Sequence, residues 1–364
     1  MAASRTAVIL NSRQSKTPSG GDEWVKSTVQ AVNYCVENDL RIVGSVGMNT
    51  WELLLWGISE FKGKGSLILP SIHVSTNSIL IEGVCHDYRM EKKGHNWNFL
   101  VPSNPRSRKS WWDERDRYAI KLSDTLIPVS VREGGRLDAL LIESGNRKVV
   151  TEFRIEYSSK SICGESWKVP EITCQPDGWD YLTHWTSRSY VPWNNEDHFA
   201  YYKSIIDCVD EYSHSALRAL INIIEQNYIF GSTGRYRGGK SAVSFTELSP
   251  AESAPLMRWR SRFVRPTFEP YGIAIAKSAA LHAGIKKVEY FKNGAESCAI
   301  NEKGPYTQGY SKGEWWREKE WRYIGDLDLG NLPPDSIKIL VPKHEDVLRF
   351  GVVDYDFIPI CGLD

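Results

Sequence analysis

The chain has 364 residues, long enough for two domains that each bury a core of their own. Lys and Arg together number 45, and so do Asp and Glu. No global field therefore draws the protein to nucleic acid or to an acidic membrane, and any such affinity has to come from a local patch. The seven cysteines (Cys35, Cys85, Cys163, Cys174, Cys208, Cys298 and Cys361) are odd in number, scattered and free of Cys-x-x-Cys pairs. That spacing predicts neither a disulfide framework nor a zinc site, and it suits a reducing compartment. No apolar run approaches the roughly 18 residues of a membrane span, and the first residues have too short an apolar stretch for a signal peptide. A soluble cytoplasmic protein without a bound metal is expected.

Residues 6–10 form a short apolar run that predicts a strand, and residues 24–38 carry apolar side chains at helical spacing. Residues 41–44 read as a second strand, 47–58 as a helix and 66–70 as a third strand; a helix over 111–122 leads into a buried strand over 124–130. Strand, helix, strand in this succession predicts an α/β, Rossmann-like, parallel-sheet N-terminal domain over residues 1–157. Residues 158–179 are rich in Ser, Gly, Pro and Cys, show neither period, and read as a linker. Beyond them, helical pattern at 199–210 and 214–226 gives way to strand-like runs at 242–246, 271–275, 287–291, 321–324 and 337–341. This predicts an α+β, mixed-sheet C-terminal domain over residues 180–364.

Ligands of doubly wound sheets sit beyond the carboxyl ends of the strands, where glycine lets the backbone approach a phosphate and a helix N-terminus favours its charge. The turn through Gly44, Gly47 and Asn49 leaves the second strand and opens a helix, so these residues are candidate phosphate contacts. It lacks the third glycine of the dinucleotide fingerprint, and a glycine pair at such a turn also serves packing alone. The stretch from Arg115 and Asp116 through Asp124, the apolar strand and the turn Gly134-Gly135 resembles the signature of DprA/LOG-like (SLOG) Rossmannoid domains, with Asp116 where that signature has Asn. The resemblance implies a pocket for a nucleotide or nucleotide-derived signal, bordered by Gly44, Gly47, Asn49, Arg115, Gly134 and Gly135. Arg115 has a structural alternative, an ion pair with Asp124.

Three polar clusters lie at the edges of apolar runs in the C-terminal half: Tyr181 to Thr186, Ser244 to Glu247, and Arg317 to Arg322. A His on one strand, a hydroxyl pair on a second and Glu-x-Glu on a third can hold a nicotinamide dinucleotide and break its glycosidic bond. That cleavage builds positive charge on the anomeric carbon, and a carboxylate held beneath it is the natural stabiliser. Glu320 is the candidate, with Glu318 two residues earlier on the same strand face. Like charges that close raise one carboxyl pKa and supply a proton acceptor. His184 can bond a ribose hydroxyl without changing charge at neutral pH, Thr186 adds a second donor, and Ser244 and Thr246 support the carboxylate. The plainer readings are a solvated charged edge, a packed histidine and the hydroxyls of a half-exposed strand.

With Val243 to Glu247, Pro270 to Ile275 and Lys319 to Arg322 as the matching residues, the order of these motifs resembles AbiGi-type abortive-infection proteins. More loosely it is similar to ADP-ribosyltransferases such as DarT. The resemblance implies an ADP-ribosyltransferase-like domain with NAD as substrate. It implies catalytic roles for Glu320, Glu318 and His184, and dinucleotide contacts from Thr186, Ser244, Thr246 and, in a glycine-rich turn, Arg235 and Arg237. Arg258, Arg260 and Arg262, with Trp259 and Arg265, make a compact basic and aromatic cluster and a candidate nucleic-acid contact. For the whole chain the expectation is a prokaryotic anti-phage, abortive-infection-type protein in which a nucleotide-sensing domain is coupled to an NAD-consuming one. The alternative is a non-enzymatic nucleotide- or nucleic-acid-binding sensor or adaptor.

Overall fold

The computed structural model describes residues 5–71, 73–104, 108–158, 167–173, 178–232, 240–292, 304–310 and 315–361. The chain forms two compact units, Met1–Ile162 with Tyr190–Ser213, and Cys163–Ser189 with His214–Asp364.

In the first unit, strands β1 (Thr6–Asn11), β2 (Arg41–Ser45), β3 (Gly65–Pro70), β4 (Asn96–Leu100), β5 (Thr125–Ser130) and β6 (Lys148–Val149) form a parallel sheet in the order β4-β3-β2-β1-β5-β6. Ala7 to Leu10, Ile42, Val43, Leu67 to Leu69, Leu126 and Ile127 are all buried, because a parallel sheet is covered on both faces by its crossover helices. Those helices are α1 (Glu23–Glu37), α2 (Asn49–Glu60), α3 (Asn77–Asp87), α4 (Arg108–Leu122) and α5 (Arg136–Glu143). α1 shows why the pattern works: Trp24, Val25, Thr28, Ala31, Val32 and Cys35 recur at helical spacing and all are buried. Burial pushes the Cys35 thiol up to about 12, so it packs as a small apolar group.

The chain steps outward from β1 to β4 and then returns to the other side of β1 as β5, so the strand order reverses between β1 and β5. At the ends of those strands the register slips: Leu10 faces Pro128, while Asn11 faces Ser130. Pro128 has no N–H for the ladder, and the slip absorbs the extra residue.

Residues 190–213 belong to this first unit and not to the second, where the helical pattern alone had been expected to lie. Helix α6 (His198–Asp207) buries Tyr201, Tyr202 and Ile205 in the first core, and the Tyr202 hydroxyl donates to Glu52 Oε2 at 2.8 Å. An amphipathic pattern tells that a helix buries one face but not against which core.

In the second unit, β7 (Tyr181–Trp185), β9 (Ala242–Thr246), β12 (Gly272–Ala276), β13 (Lys286–Lys287), β16 (Glu320–Ile324), β18 (Ile337–Val341) and β19 (Asp356–Pro359) form a sheet in the order β13-β16-β9-β7-β12-β18-β19. All neighbours are antiparallel except β18 and β19, which makes the sheet mixed. Smaller pairs are β8 (Tyr228–Ile229) with β17 (Leu327–Asp328), the hairpin β10 (Trp259–Arg260) with β11 (Arg265–Pro266), and the parallel β14 (Glu289–Lys292) with β15 (Thr307–Tyr310). The apolar run at 287–291 is thus split between two sheets, around the buried Val288. Leu182, Val243, Phe245, Ile273, Ile275 and Trp321 share one core with helix α7 (Ala216–Gln226), while Trp185, Ala274, Leu340 and Met257 form another. Within the expected linker, Ile172 bridges to Cys361. Among the described residues no helix is long and apolar enough to cross a membrane.

Arg115 is the largest fully buried side chain among the described residues. Its Nε and Nη2 donate to Asp116 Oδ1 at 3.0 and 2.8 Å, and its guanidinium lies 4.7 Å from the Trp51 ring centre. Its partner is therefore not Asp124, whose Oδ2 accepts from Thr6 N and Oγ1. Asp116→Ala strands a buried guanidinium, and we expect it to destabilise the first unit by about 3–5 kcal/mol. Urea denaturation followed by circular dichroism measures this; an unchanged midpoint contradicts the pairing.

Candidate active site

Strands β9 and β16 pair with Thr246 opposite Glu320 and Ser244 opposite Arg322. Side chains alternate along a strand, so these four residues share one face. β7 meets β9 at Thr183 opposite Thr246, the one pairing between those two strands among the described residues. Over this junction lies a cavity of about 380 Å³, walled by His184, Ser244, Thr246, Glu318, Glu320 and Arg322 together with apolar side chains such as Phe268. Its size falls at the small end of small-molecule sites, which run from about 300 to 1,000 Å³.

Glu320 is fixed on three sides. Its Oε1 accepts from Ser244 Oγ and Arg322 Nε, both at 2.8 Å, and its Oε2 accepts from Arg322 Nη2 at 2.8 Å. The planar guanidinium grips both carboxylate oxygens, which sets direction as well as distance. Arg322 is held in turn: Nη1 donates to the Pro305 carbonyl at 2.7 Å and Nη2 to Gln308 Oε1 at 3.0 Å. The side chains of Arg322 and Glu320 are only 4% and 14% exposed, so neither charge is solvated on its own. The Tyr290 hydroxyl is pushed up in pKa, first by burial and then by the Glu320 charge.

Glu318 reaches the same cavity by another route. It does not continue the strand of Glu320 but ends a 3₁₀ turn, Trp315–Glu318, and Lys319 between them has φ 43°. Thr246 Oγ1 donates to the Glu318 carbonyl at 2.6 Å, so this hydroxyl braces the turn and not the Glu320 carboxylate. His184 Nδ1 lies 2.9 Å from the Ser244 carbonyl oxygen. A carbonyl only accepts, so the proton sits on Nδ1 and Nε2 is left as an acceptor. Burial lowers the His184 pKa, against the pull of that carbonyl, and keeps the ring neutral at pH 7.

Thr186 is not among the cavity residues: its buried Oγ1 faces the carbonyls of Ala216 and Tyr271 at 2.8 and 3.0 Å. Arg235 and Arg237 lie outside the described residues. Gln308 and Phe268 line the cavity without having been singled out in the sequence. Nothing near Gln308 marks it, since its place depends on a separate strand pair. Among the described residues no group of three or more His, Cys, Asp or Glu side chains is placed to hold a metal ion.

In the first unit the expected phosphate contacts are distributed differently. A Cβ on Gly44 meets the Leu55 and Leu67 methyls at 3.0 Å, so this glycine serves packing. Gly47 has φ 92° and open space around it, yet its N–H donates to Glu52 Oε1 at 2.8 Å. Gly134 has φ 65°, and its N–H donates to Asp138 Oδ2 at 2.9 Å; Gly135 caps α5. Asn49 Nδ2 donates to the Ser15 carbonyl at 2.6 Å. Arg115 lies close to the same turn, 3.5 Å from the Val46 carbonyl. Carboxylates from the following helices thus take the amides of both glycine turns. Gln14 Nε2 and Thr50 Oγ1 are buried there without a partner among the described residues.

No family model and no curated protein matches this chain. Solved structures similar to it include two of DNA processing protein A. DNA processing protein A (DprA) from Streptococcus pneumoniae is 16% identical at a TM-score of 0.26, over 41% of this chain and 59% of that one. DNA processing protein A from Helicobacter pylori, described with a single-stranded DNA binding mode, is 16% identical at a TM-score of 0.27, over 40% and 63%. The chain therefore spans less than two thirds of either protein, and the likeness carries no argument about function.

His184 provides a pH test. Its folded pKa lies below the unfolded value near 6.5. The unfolded chain then binds the extra proton first as pH falls, so stability is full above about 6.5 and is lost below it. His184→Gln should flatten that acid limb of a melting-temperature profile, while a limb unchanged by the substitution contradicts the assignment.

Proposed function

We propose that the cavity of the second unit binds the nicotinamide riboside end of NAD and that the protein consumes NAD, as a glycohydrolase or an ADP-ribosyltransferase. The observation that carries this reading is the Glu320 carboxylate, aimed along one cavity wall by Ser244 and Arg322 together, with the His184 acceptor a strand away. The C–N bond between nicotinamide and ribose breaks, and nicotinamide leaves with the bonding electron pair. Positive charge grows on the anomeric carbon, where a fixed carboxylate stabilises it without reorganising. An acceptor oxygen, water in the simplest case, then bonds to that carbon and gives up a proton to solvent. With water the products are ADP-ribose, nicotinamide and a proton. His184 Nε2 takes a hydrogen bond from a ribose hydroxyl, and Glu318, in the same cavity wall, relays the acceptor's proton to solvent.

The first unit, in this reading, binds a nucleotide beyond the carboxyl ends of β1, β2 and β5, where the strand order reverses. The resemblance of the second half to abortive-infection proteins supports a role in prokaryotic anti-phage defence, with the first unit as sensor.

The test is NAD carrying label in the nicotinamide ring, incubated with the full chain. Glu320→Gln keeps the shape and removes the charge, and it should lower nicotinamide release by roughly 10²-fold or more. His184→Ala should mainly raise KM, because its ribose partner is present in ground and transition states alike. If Glu320→Gln leaves the rate intact, or if the wild-type chain releases no nicotinamide, the cavity is not an NAD-consuming site, and Glu320 serves to neutralise Arg322.

A further inference from the structure

Leu256, Thr267 and Phe268 belong to the cavity wall, and between them the chain rises into the β10–β11 hairpin. The Thr267 N–H donates to the Arg258 carbonyl at 3.0 Å, and the ladder continues with Trp259 opposite Pro266 and Arg260 opposite Arg265. The hairpin is thus rooted in the wall itself. By alternation, Arg258, Arg260 and Arg265 fall on the hairpin face that Thr267 shares. Arg265 Nη1 donates to the Arg188 carbonyl at 3.0 Å, and no Asp or Glu occurs in the hairpin sequence between Ser253 and Phe268. The adjacent Glu269 is committed to Arg188, whose Nε and Nη2 it holds at 2.8 and 2.6 Å. Arg258 and Arg262 are exposed, and neither forms a salt bridge among the described residues.

A cavity of about 380 Å³ holds a nucleoside-sized group. A dinucleotide overruns it, so its pyrophosphate falls at the rim, where this cationic hairpin stands. We infer that the β10–β11 hairpin is the pyrophosphate-binding arm of the site, with Arg258 and Arg262 donating charge-assisted hydrogen bonds to the phosphate oxygens. The inference rests on the reading of the cavity as a nicotinamide riboside site and adds the residues that select a dinucleotide over a nucleoside.

The experiment compares NAD with nicotinamide riboside, which has the same scissile bond and no phosphate, as substrates of the full chain. In the double variant Arg258→Gln, Arg262→Gln, the KM for NAD should rise roughly tenfold or more. Its kcat and the turnover of nicotinamide riboside should hold, and Arg258→Lys, Arg262→Lys should restore most of the affinity. An unchanged KM for NAD overturns the inference alone, since the wild-type activity then stands. Equal loss on both substrates also overturns it, because the hairpin then only shapes the cavity. Loss of single-stranded oligonucleotide binding, read by fluorescence anisotropy with NAD kinetics unchanged, overturns it in favour of a nucleic-acid surface. Absence of nicotinamide release from either substrate in the wild-type chain removes the reading of the cavity and this inference together.

Discussion

Two opposite charges, Glu320 and Arg322, are withdrawn from water side by side on one strand, and much of the second unit is arranged around them. Alternation places both on the same face, and the register with β9 sets Ser244 next to Arg322. Burial of either charge alone is unfavourable by several kcal/mol, so the remaining donors of the guanidinium are matched by the Pro305 carbonyl and the Gln308 amide. Those two residues tie the segment around β15 to the main sheet. The pair adds little net stability when intact, but it gives the carboxylate one direction. That fixed direction is what turns a cavity into a candidate site for building charge on a bound sugar.

The parallel sheet of the first unit was legible because its strands are continuous apolar runs. β1, β2, β3 and β5 are buried on both faces, and their crossover helices carry clear apolar stripes. β4 was not, since Asn96 and Asn98 alternate with aromatic residues on a half-exposed sheet edge, and β19 ends in Pro359 after an exposed Asp356. In the second unit the spacing of His184, Ser244, Thr246, Glu318 and Glu320 singled out residues that the fold brings to one cavity. Their partners escaped notice. Which carbonyl orients His184, which hydroxyl faces Glu320 and where Thr186 points depend on pairings between residues 60 to 85 positions apart. Only local alternation can be read from sequence, and the 3₁₀ turn that carries Glu318 breaks even that.

The glycine turns of the first unit show the same limit. Gly47 and Gly134 adopt the left-handed backbone that favours glycine. Their amides nevertheless meet carboxylates, Glu52 and Asp138, at the first turn of the helix that follows. An acidic residue near a helix N-terminus satisfies its exposed amides and favours the helix dipole, and the turn needs no ligand to be stable. Glycine spacing therefore identified the backbone geometry, while the anion that fills it comes from the chain. A phosphate bound there has to displace those carboxylates or sit beside them, near Gln14 and Thr50.

The proposed NAD consumption in the second unit depends on where the ribose lies relative to Glu320. A crystal structure of the full chain with a carbocyclic NAD analogue, whose bond to nicotinamide does not break, measures this directly. The expected result is the ring and its attached sugar mimic inside the cavity, a hydroxyl within hydrogen-bond distance of Glu320 or His184, and the Glu320–Arg322 pair intact. An analogue bound only to the first unit, or a cavity without ligand at saturating concentration, would contradict it.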